Sequence, residues 1–191
     1  MRRAKLEDKN VVVDIMTESL KNDPHFSYLV EKSKNKNKLR IVMEYLFEES
    51  FNKGEIYLND ENTATALWNI KKREKFSLKY AYRKLSLLLK IGFNSAFRVL
   101  KMDKLTSQYH PKIGQYAHLH LVGVLPESKG KAYAQKLIKF MIDKTTKNNT
   151  ELYLETSNSK NISIYNKIGF HVFKTIDMDG HRLFCMKQEM S

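Results

Sequence analysis

The fold is decided by residues 119–140, which read LHLVGVLPESKGKAYAQKLIKF. Up to Val124 they form an apolar, β-branched run that stops before Pro126, and such a run predicts a strand. From Tyr133 onward the apolar residues recur at helical spacing, which predicts a helix. The rest of the chain is arranged around this strand, turn and helix.

The turn at residues 127–131 has the chemistry of a phosphate site. A helix that begins directly after it presents backbone N–H groups without partners and the positive end of its dipole. Lys129 and Lys131 add positive charge, and the small residues Ala132 and Ala134 let a ligand approach the backbone. Neither the nucleotide loop GxxxxGK followed by Ser or Thr nor the dinucleotide string GxGxxG is present. An ordinary strand-to-helix connection with two solvated lysines stays open as the alternative.

Length and composition predict one domain over residues 1–191. A chain of 191 residues buries roughly 70% of its unfolded surface in a single core. No apolar run approaches the ~18 residues that cross a bilayer, and charged residues follow the start Met1-Arg2-Arg3. We therefore expect a cytoplasmic protein without membrane contact. The single cysteine, Cys185, excludes an internal disulfide, argues against a Cys-based metal site and is expected in a buried strand.

The net charge of +13 favours anionic partners, among which coenzyme A, nucleic acid and an acidic membrane surface all qualify. The charge alone does not choose among them. A nucleic-acid module more often shows arginine with interleaved exposed aromatic residues on one face. Here lysine dominates and is scattered through the chain, so nucleic acid is the less favoured partner, and the composition of the host genome is an equally good explanation of the lysines.

The residues before the central strand predict helices, a hairpin and an insertion. The expected elements are a strand at 2–6, a helix at 9–21 capped by Asp8, a helix at 39–51 closed by Gly54, and paired strands at 55–59 and 64–70. Residues 74–108 then carry the apolar spacing of about two helices, which meet near Ile91-Gly92. They are interpreted as a helical insertion that shapes either a satellite core or a pocket.

After the central strand and helix, the pattern predicts a strand at 151–156, a short helix at 161–167 and a hairpin. The hairpin strands are expected at 170–176 and 182–187, around the turn Asp179-Gly180. The order of elements predicts an α/β (α+β) fold. Its sheet is mixed, mostly antiparallel and flanked by helices, with the helical insertion before the central strand.

The last third of the chain resembles the GNAT superfamily of N-acetyltransferases. Their pattern LETS-x-x-x-Asn-x-x-x-Tyr-x-x-x-Gly-Phe matches Leu154-Glu155-Thr156-Ser157, Asn161, Tyr165 and Gly169-Phe170. The central turn is similar to their pyrophosphate loop, with lysine in place of Gln or Arg and alanine in place of one glycine. Within the superfamily the chain is closest in pattern to puromycin N-acetyltransferase-like members. The features shared with that group are His110-Pro111, Val122-Gly123-Val124 and Cys185-Met186.

The resemblance implies acetyl-CoA as the acyl donor and assigns roles to individual residues. Asn161 matches an asparagine that binds the cofactor arm, and Tyr165 matches the tyrosine that protonates the departing thiolate. Ala132 lacks the conformational freedom of glycine, so it is tolerated without strain only if its φ is negative. The other implied cofactor contacts are Val122, Gly123 and Val124 on the strand and Lys129, Gly130, Lys131, Ala132, Tyr133 and Ala134 in the loop and helix start.

Acyl transfer to an amine requires that the amine lose its proton and that the leaving thiolate gain one. Tyr165 is a sensible acid, whereas Glu155 and His120, on neighbouring strands, are candidates for the base, directly or through water. His118 and His120 share one face of the central strand. Two histidines without a third ligand do not predict a metal site, so none is assigned.

Three classes of function follow. The favoured one is an N-acetyltransferase that moves the acetyl group of acetyl-CoA to a primary amine of a small molecule by direct attack in a ternary complex. The alternatives are an enzyme that acts on a protein or peptide amine and a non-catalytic module that binds acyl-CoA or nucleic acid. The insertion at 74–108 is expected to line the acceptor site. A homodimer is left open, because the sequence does not state the oligomeric state.

Overall fold

The computed structural model describes residues 1–23, 26, 36–71, 85–87, 89–111, 115–178 and 181–188. The helices are α1 (Lys9–Leu20), α2 (Lys36–Lys53), α3 (Phe93–Ser107), α4 (Tyr133–Thr146) and α5 (Ser159–Asn166). The strands are β1 (Arg2–Arg3), β2 (Gly54–Leu58), β3 (Ala64–Lys71), β4 (Tyr116–Val124), β5 (Glu151–Thr156), β6 (Phe170–Met178) and β7 (His181–Gln188). Short 3₁₀ turns lie at Leu6–Asp8 and Pro126–Ser128.

The seven strands form one sheet in the order β1-β2-β3-β4-β5-β7-β6. All neighbouring strands are antiparallel except β4 and β5, which are parallel because α4 carries the chain back between them. The predicted α/β fold with a mixed, mostly antiparallel sheet is therefore confirmed.

A β-bulge in β4 changes which face its side chains occupy. Leu67 of β3 pairs with Leu121 and the next residue, Trp68, pairs with Leu119, so His120 is the extra residue in β4. Leu119 consequently packs with the apolar residues on the α4 side, whereas Leu121 packs on the α1 and α2 side. Without the bulge both leucines would share one face, because side chains alternate along a strand.

Each face of the sheet carries its own apolar core. The core under α1 and α2 includes Val12, Met16, Val42, Phe47 and Ile91. The core under α4 and α5 includes Trp68, Leu137, Met141, Leu152 and Phe170. Helices thus cover both faces of the central strands, and the candidate site lies where β4 and β5 part.

Two residues predicted to mark helix ends, Asp8 and Gly54, have other roles in the structure. Gly54 opens β2 rather than closing α2, and a Cβ built on it would lie 1.9 Å from the carbonyl oxygen of Trp68. Asp8 precedes α1 but makes no capping bond to it. Its carboxylate instead accepts two hydrogen bonds of 2.7 Å from the guanidinium of Arg2 and one from the backbone N–H of Lys5.

The hairpin of β2 and β3 and the strand β5 are confirmed, whereas the first strand is shorter than predicted and ends at Arg3. The final hairpin is confirmed by the pairing of Met178 with His181, and its turn, 179–180, lies outside the described residues. Of the predicted insertion, residues 74–84 and 88 also lie outside them, while 85–87, 89–91 and α3 are helical. Within the described part of the chain, no helix is both long and apolar enough to span a membrane.

Candidate active site

The strands β4 and β5 part halfway along the sheet, and this opening forms the candidate site. Their pairing ends at Leu119 and Leu154, yet β4 continues to Val124, where it still pairs with β3. Beyond Leu119, none of the described strands pairs with the edge of β4 that faces β5. A cavity of about 240 Å³ lies there, bounded by β4, β5 and α5 and by α1, α2 and α3.

Glu155 lies one residue beyond the last β4–β5 pair and bridges two histidines. Its Oε1 lies 2.8 Å from Nε2 of His110, and its Oε2 lies 2.5 Å from Nε2 of His118. Burial alone would raise the pKa of the Glu155 carboxyl, but the charge of His118 and the hydrogen bonds from both imidazoles hold that pKa below its usual value. An ionised carboxylate only accepts hydrogen bonds, so both imidazoles must donate.

The same three residues form a set of potential metal ligands. One atom each from His110, His118 and Glu155 lies within 4.8 Å of the others, and imidazole nitrogen and carboxylate oxygen are donors that bind Zn²⁺. The sequence had offered only His118 and His120. The additional donors come from residues far apart in the chain, and the only sequence feature pointing to His110 was the His110-Pro111 pair.

His120, the residue inserted by the bulge, also lines the cavity. Its Nδ1 lies 3.0 Å from Nδ2 of Asn69 and 3.4 Å from Oγ of Ser50. With the amide nitrogen donating, the neutral ring carries its proton on Nε2 and has no free lone pair there. A base role for His120 therefore requires the Asn69 amide to present its oxygen instead. That oxygen is buried without a hydrogen-bond partner among the described residues.

Tyr165 and Asn161 lie one turn apart on α5, and both line the cavity. The side chain of Asn158 caps this helix by accepting from the N–H of Lys160, at 3.1 Å. Nδ2 of Asn161 donates to Oγ1 of Thr156, at 3.3 Å. Burial, together with the charge of Asp23, raises the pKa of Tyr165 to about 12, so its hydroxyl keeps a proton to donate at neutral pH.

The turn before α4 has the backbone of an anion site. The first helical bond runs from the N–H of Lys136 to the carbonyl of Ala132, so the N–H groups of Tyr133, Ala134 and Gln135 have no partner within the helix. Gly130 and Ala132 have positive φ of 84° and 58°, whereas Lys131 between them does not, and such alternation in the sign of φ can turn successive N–H groups toward one anion. The condition for unstrained alanine at position 132 is thus not met: Ala132 adopts the conformation that favours glycine.

A carboxylate from the β2–β3 turn lies against the side chains of this loop. The hydroxyl of Tyr133 donates to Oε1 of Glu61, and Nζ of Lys131 lies 3.5 Å from its other oxygen. Lys129 is exposed. The backbone donors and the two lysines suit a diphosphate such as that of coenzyme A, because they are the donor types that bind phosphate oxygens. To bind the phosphate, Lys131 and Tyr133 would have to give up their contacts with Glu61.

The three predicted contacts on β4 have different surroundings. Val122 lines the cavity, whereas Val124 packs against the α4-side core. Gly123 is buried beneath α1, where a Cβ would lie 2.5 Å from Oγ of Ser19 and 3.0 Å from Sδ of Met16. The missing side chain of Gly123 therefore serves helix packing, and only its backbone is left for a cofactor.

Comparison with known proteins gives this site a context. Residues 96–170 match the sequence profile of the acetyltransferase (GNAT) family. A histone acetyltransferase and related acetyltransferase from Corynebacterium glutamicum has a TM-score of 0.72 at 19% identity, with 100% of this chain and 95% of that chain covered. Arylalkylamine N-acetyltransferase 2 from Aedes aegypti has a TM-score of 0.73 at 10% identity, with coverages of 100% and 98%. A ribosomal-protein alanine N-acetyltransferase from Escherichia coli has a TM-score of 0.55 at 13% identity, with coverages of 100% and 92%. At these identities the structures share the fold alone.

Proposed function

We propose that this chain, of which residues 96–170 match the acetyltransferase (GNAT) family profile, is an acyltransferase of that kind and moves an acetyl group from acetyl-CoA to a primary amine of a small molecule. The observation that carries the proposal is the opening between β4 and β5, with an anion-binding turn directly after β4 and Tyr165 on the opposite wall. Residues 1–191 are taken as one N-acetyltransferase domain with the insertion at 74–108.

The chain's own groups would hold the donor along β4. The diphosphate is assigned to the N–H groups at the start of α4 and to Lys129 and Lys131, because free N–H donors and lysine ammonium groups bind phosphate oxygens. Asn161, on the opposite wall, is assigned to bind the pantetheine arm of the cofactor, which carries the sulfur. Acetyl-CoA, when bound, supplies an activated acyl group as a thioester.

Proton transfer is assigned to the residues around the cavity. Tyr165 is the general acid for the leaving thiolate, because its raised pKa keeps the hydroxyl protonated. The amine's proton goes to Glu155 or His120, directly or through water. The lowered pKa of Glu155 makes that carboxylate a weak base, so its stronger contribution is to attract the ammonium form of the acceptor and to orient His118.

Direct attack in a ternary complex is preferred over a covalent acyl-enzyme. The only cysteine, Cys185, is 1% exposed, and burial next to Glu155 raises the pKa of its thiol to about 12. A thiol that is neither ionised nor accessible is a poor nucleophile. We also place the chain nearest to puromycin N-acetyltransferase-like enzymes, on the shared His110-Pro111, Val122-Gly123-Val124 and Cys185-Met186.

The runner-up is transfer to a protein or peptide amine. The net charge of +13 favours it, because a basic surface would recruit an acidic partner protein. A non-catalytic acyl-CoA module is the third candidate, since Ala132 replaces a glycine of the loop.

The test is an assay of thiol release from acetyl-CoA with a panel of small primary amines, followed by mass spectrometry of the products. We expect amine-dependent thiol release and a product heavier by one acetyl group. Acetylation of peptides alone would favour the runner-up. Binding of acetyl-CoA without transfer to any amine would favour the non-catalytic module.

A further inference from the structure

The described residues that line the cavity are acidic although the protein is strongly basic. The chain carries 34 lysines and arginines and a net charge of +13. Among the twenty described residues that line the cavity, none is a lysine or an arginine, and three are carboxylates: Asp23, Glu49 and Glu155. The described lining therefore holds carboxylates but no lysine or arginine, in contrast to the basic composition of the whole chain.

The three carboxylates lie on different walls. Glu155 is on β5 and is held by two imidazoles. Asp23 follows α1, and its carboxylate accepts from the backbone N–H of Phe26, at 3.4 Å. Glu49 is on α2, is 12% exposed and pairs with Lys53 at 3.3 Å. A ligand inside the cavity thus meets carboxylates on three walls, and the charge of one of them, Asp23, also acts on Tyr165.

The remaining wall formed by the helices is apolar. Leu20, Phe26, Val42, Leu46 and Val99 come from α1, α2, α3 and the segment after α1. The buried members belong to the core on that face of the sheet, so this wall is fixed before a ligand enters. It suits an aromatic or branched alkyl body.

We propose that the acceptor is a cationic amine with an apolar body and without a carboxylate or phosphate group. This inference rests on the proposed function and narrows it to a substrate class. The apolar wall binds the body, and the carboxylates attract the ammonium form. An acceptor that also carries a carboxylate, such as a free amino acid, brings like charges together in a partly desolvated site.

A matched set of probes isolates the charge: tyramine, tyrosine and tyrosine methyl ester. The three share the phenol ring and a primary amine, and the ester removes the negative charge of tyrosine while keeping its bulk. We expect kcat/KM for tyrosine to be lower than for the ester by roughly 100-fold or more, because like-charge contacts in such sites are costly. Values for tyrosine and its ester that agree within about threefold would overturn the inference.

The same probes give a result even if no acetyl transfer occurs. In that case the proposed function fails, and calorimetric titration of the three compounds into the protein decides this inference alone. Tyramine and the ester should bind. The dissociation constant of tyrosine should be higher than theirs by about tenfold or more. Equal binding of all three, or binding of none, would overturn it.

Glu49 provides the variant and its neighbour provides the control. Glu49→Gln keeps the shape of the side chain and removes one charge. It should therefore weaken the binding of tyramine, and the ratio of kcat/KM between the ester and tyrosine should fall by about tenfold. Glu48→Gln removes a charge from the adjacent residue of α2, which pairs with Lys9 at 2.8 Å and does not line the cavity. It should leave both values unchanged. If Glu49→Gln does not fold, Asp23→Asn tests the same expectation by calorimetric binding of tyramine and tyrosine, because the charge of Asp23 also acts on Tyr165 and would alter turnover. Identical effects of the Glu48 and Glu49 variants would contradict the inference.

Discussion

Glu155 Oε2 lies 2.5 Å from Nε2 of His118, at the point where the two parallel strands part. Because His110 binds the other carboxylate oxygen, the charge is fixed in place by residues from two further segments of the chain. The site therefore holds a desolvated, ionised carboxylate before any substrate enters. Several consequences of this arrangement can be measured.

Glu155 should make the stability of the fold depend on acid pH. Its pKa is lowered in the folded state, so its contribution is present above the pKa of the unfolded carboxyl, about 4.3, and is lost as the pH falls below it. Glu155→Gln should lower the free energy of unfolding at pH 7 by about 1–3 kcal/mol, because one imidazole then faces an amide donor. The deficit should stay constant above about pH 5 and shrink as the pH falls below about 4.3 toward the lowered pKa of the folded state.

The measurement is urea unfolding at several pH values, with Glu151→Gln as the control. Glu151 lies on the same strand and accepts a hydrogen bond from Tyr153, but it does not line the cavity. A deficit of the Glu155 variant that is independent of pH would contradict the lowered pKa.

Tyr165→Phe should reduce turnover without disturbing the fold. The change deletes only the hydroxyl, and general acid catalysis contributes about 10² to 10⁴-fold, or roughly 3 to 5 kcal/mol of barrier. Since the pKa of Tyr165 is about 12, turnover should show no alkaline limb from this residue below about pH 10. Steady-state kinetics with acetyl-CoA would measure both.

Tyr153→Phe is the matched control, because Tyr153 is also buried and its hydroxyl binds Glu151 outside the cavity. Its turnover should stay near that of the unaltered protein. If Tyr165→Phe has the same turnover as this control, Tyr165 is a core residue and not the general acid.

Ala132→Gly and Ala134→Gly should change the free energy of unfolding by different amounts. Ala132 has φ of 58°, a region that costs alanine about 1–2 kcal/mol, whereas glycine adopts it freely. This relief offsets the greater entropy of an unfolded glycine, so stability should stay equal or rise by up to about 1 kcal/mol. Ala134→Gly, inside α4, should lower it by about 1 kcal/mol. Equal losses in denaturant melts of the two variants would count against a left-handed Ala132.

Gly123→Ala should destabilise the protein through α1. The new Cβ would meet Oγ of Ser19 at 2.5 Å and Sδ of Met16 at 3.0 Å, and overpacking of this kind costs about 1–3 kcal/mol. Ser19→Ala removes the closer atom, so the double variant should recover part of the loss. A double-mutant cycle from thermal melts gives the coupling; strictly additive effects would mean that the two residues do not touch.

The sequence allowed prediction of the features that depend on local chemistry. The hairpin of β2 and β3, the strand β5 and the turn between β4 and α4 follow from turn residues and short-range spacing. Asn161 and Tyr165 could be paired because four residues make one helical turn. Each of these required no knowledge of a distant partner.

The remaining features depend on contacts between segments far apart. In the sequence of β4 the apolar residues shift from odd positions, Leu119 and Leu121, to even ones, Val122 and Val124. Whether such a shift is a β-bulge depends on the pairing with β3, which the sequence of β4 alone does not give. His110 meets Glu155 because β4 and β5 pair in one register, which no local pattern specifies. The positive φ of Ala132 could not be read from an alanine at a helix start.

The central claim is that the turn after β4 holds the diphosphate of acetyl-CoA. Isothermal titration of acetyl-CoA tests it directly, using the unaltered protein, the double variant Lys129→Glu/Lys131→Glu, and Lys139→Glu, an exposed lysine farther along α4. We predict binding that weakens with salt, a loss of about tenfold or more in the double variant, since several kcal/mol attach to charge contacts in such sites, and no loss in Lys139→Glu. Equal affinity of all three proteins, or no binding at millimolar acetyl-CoA, would contradict the account.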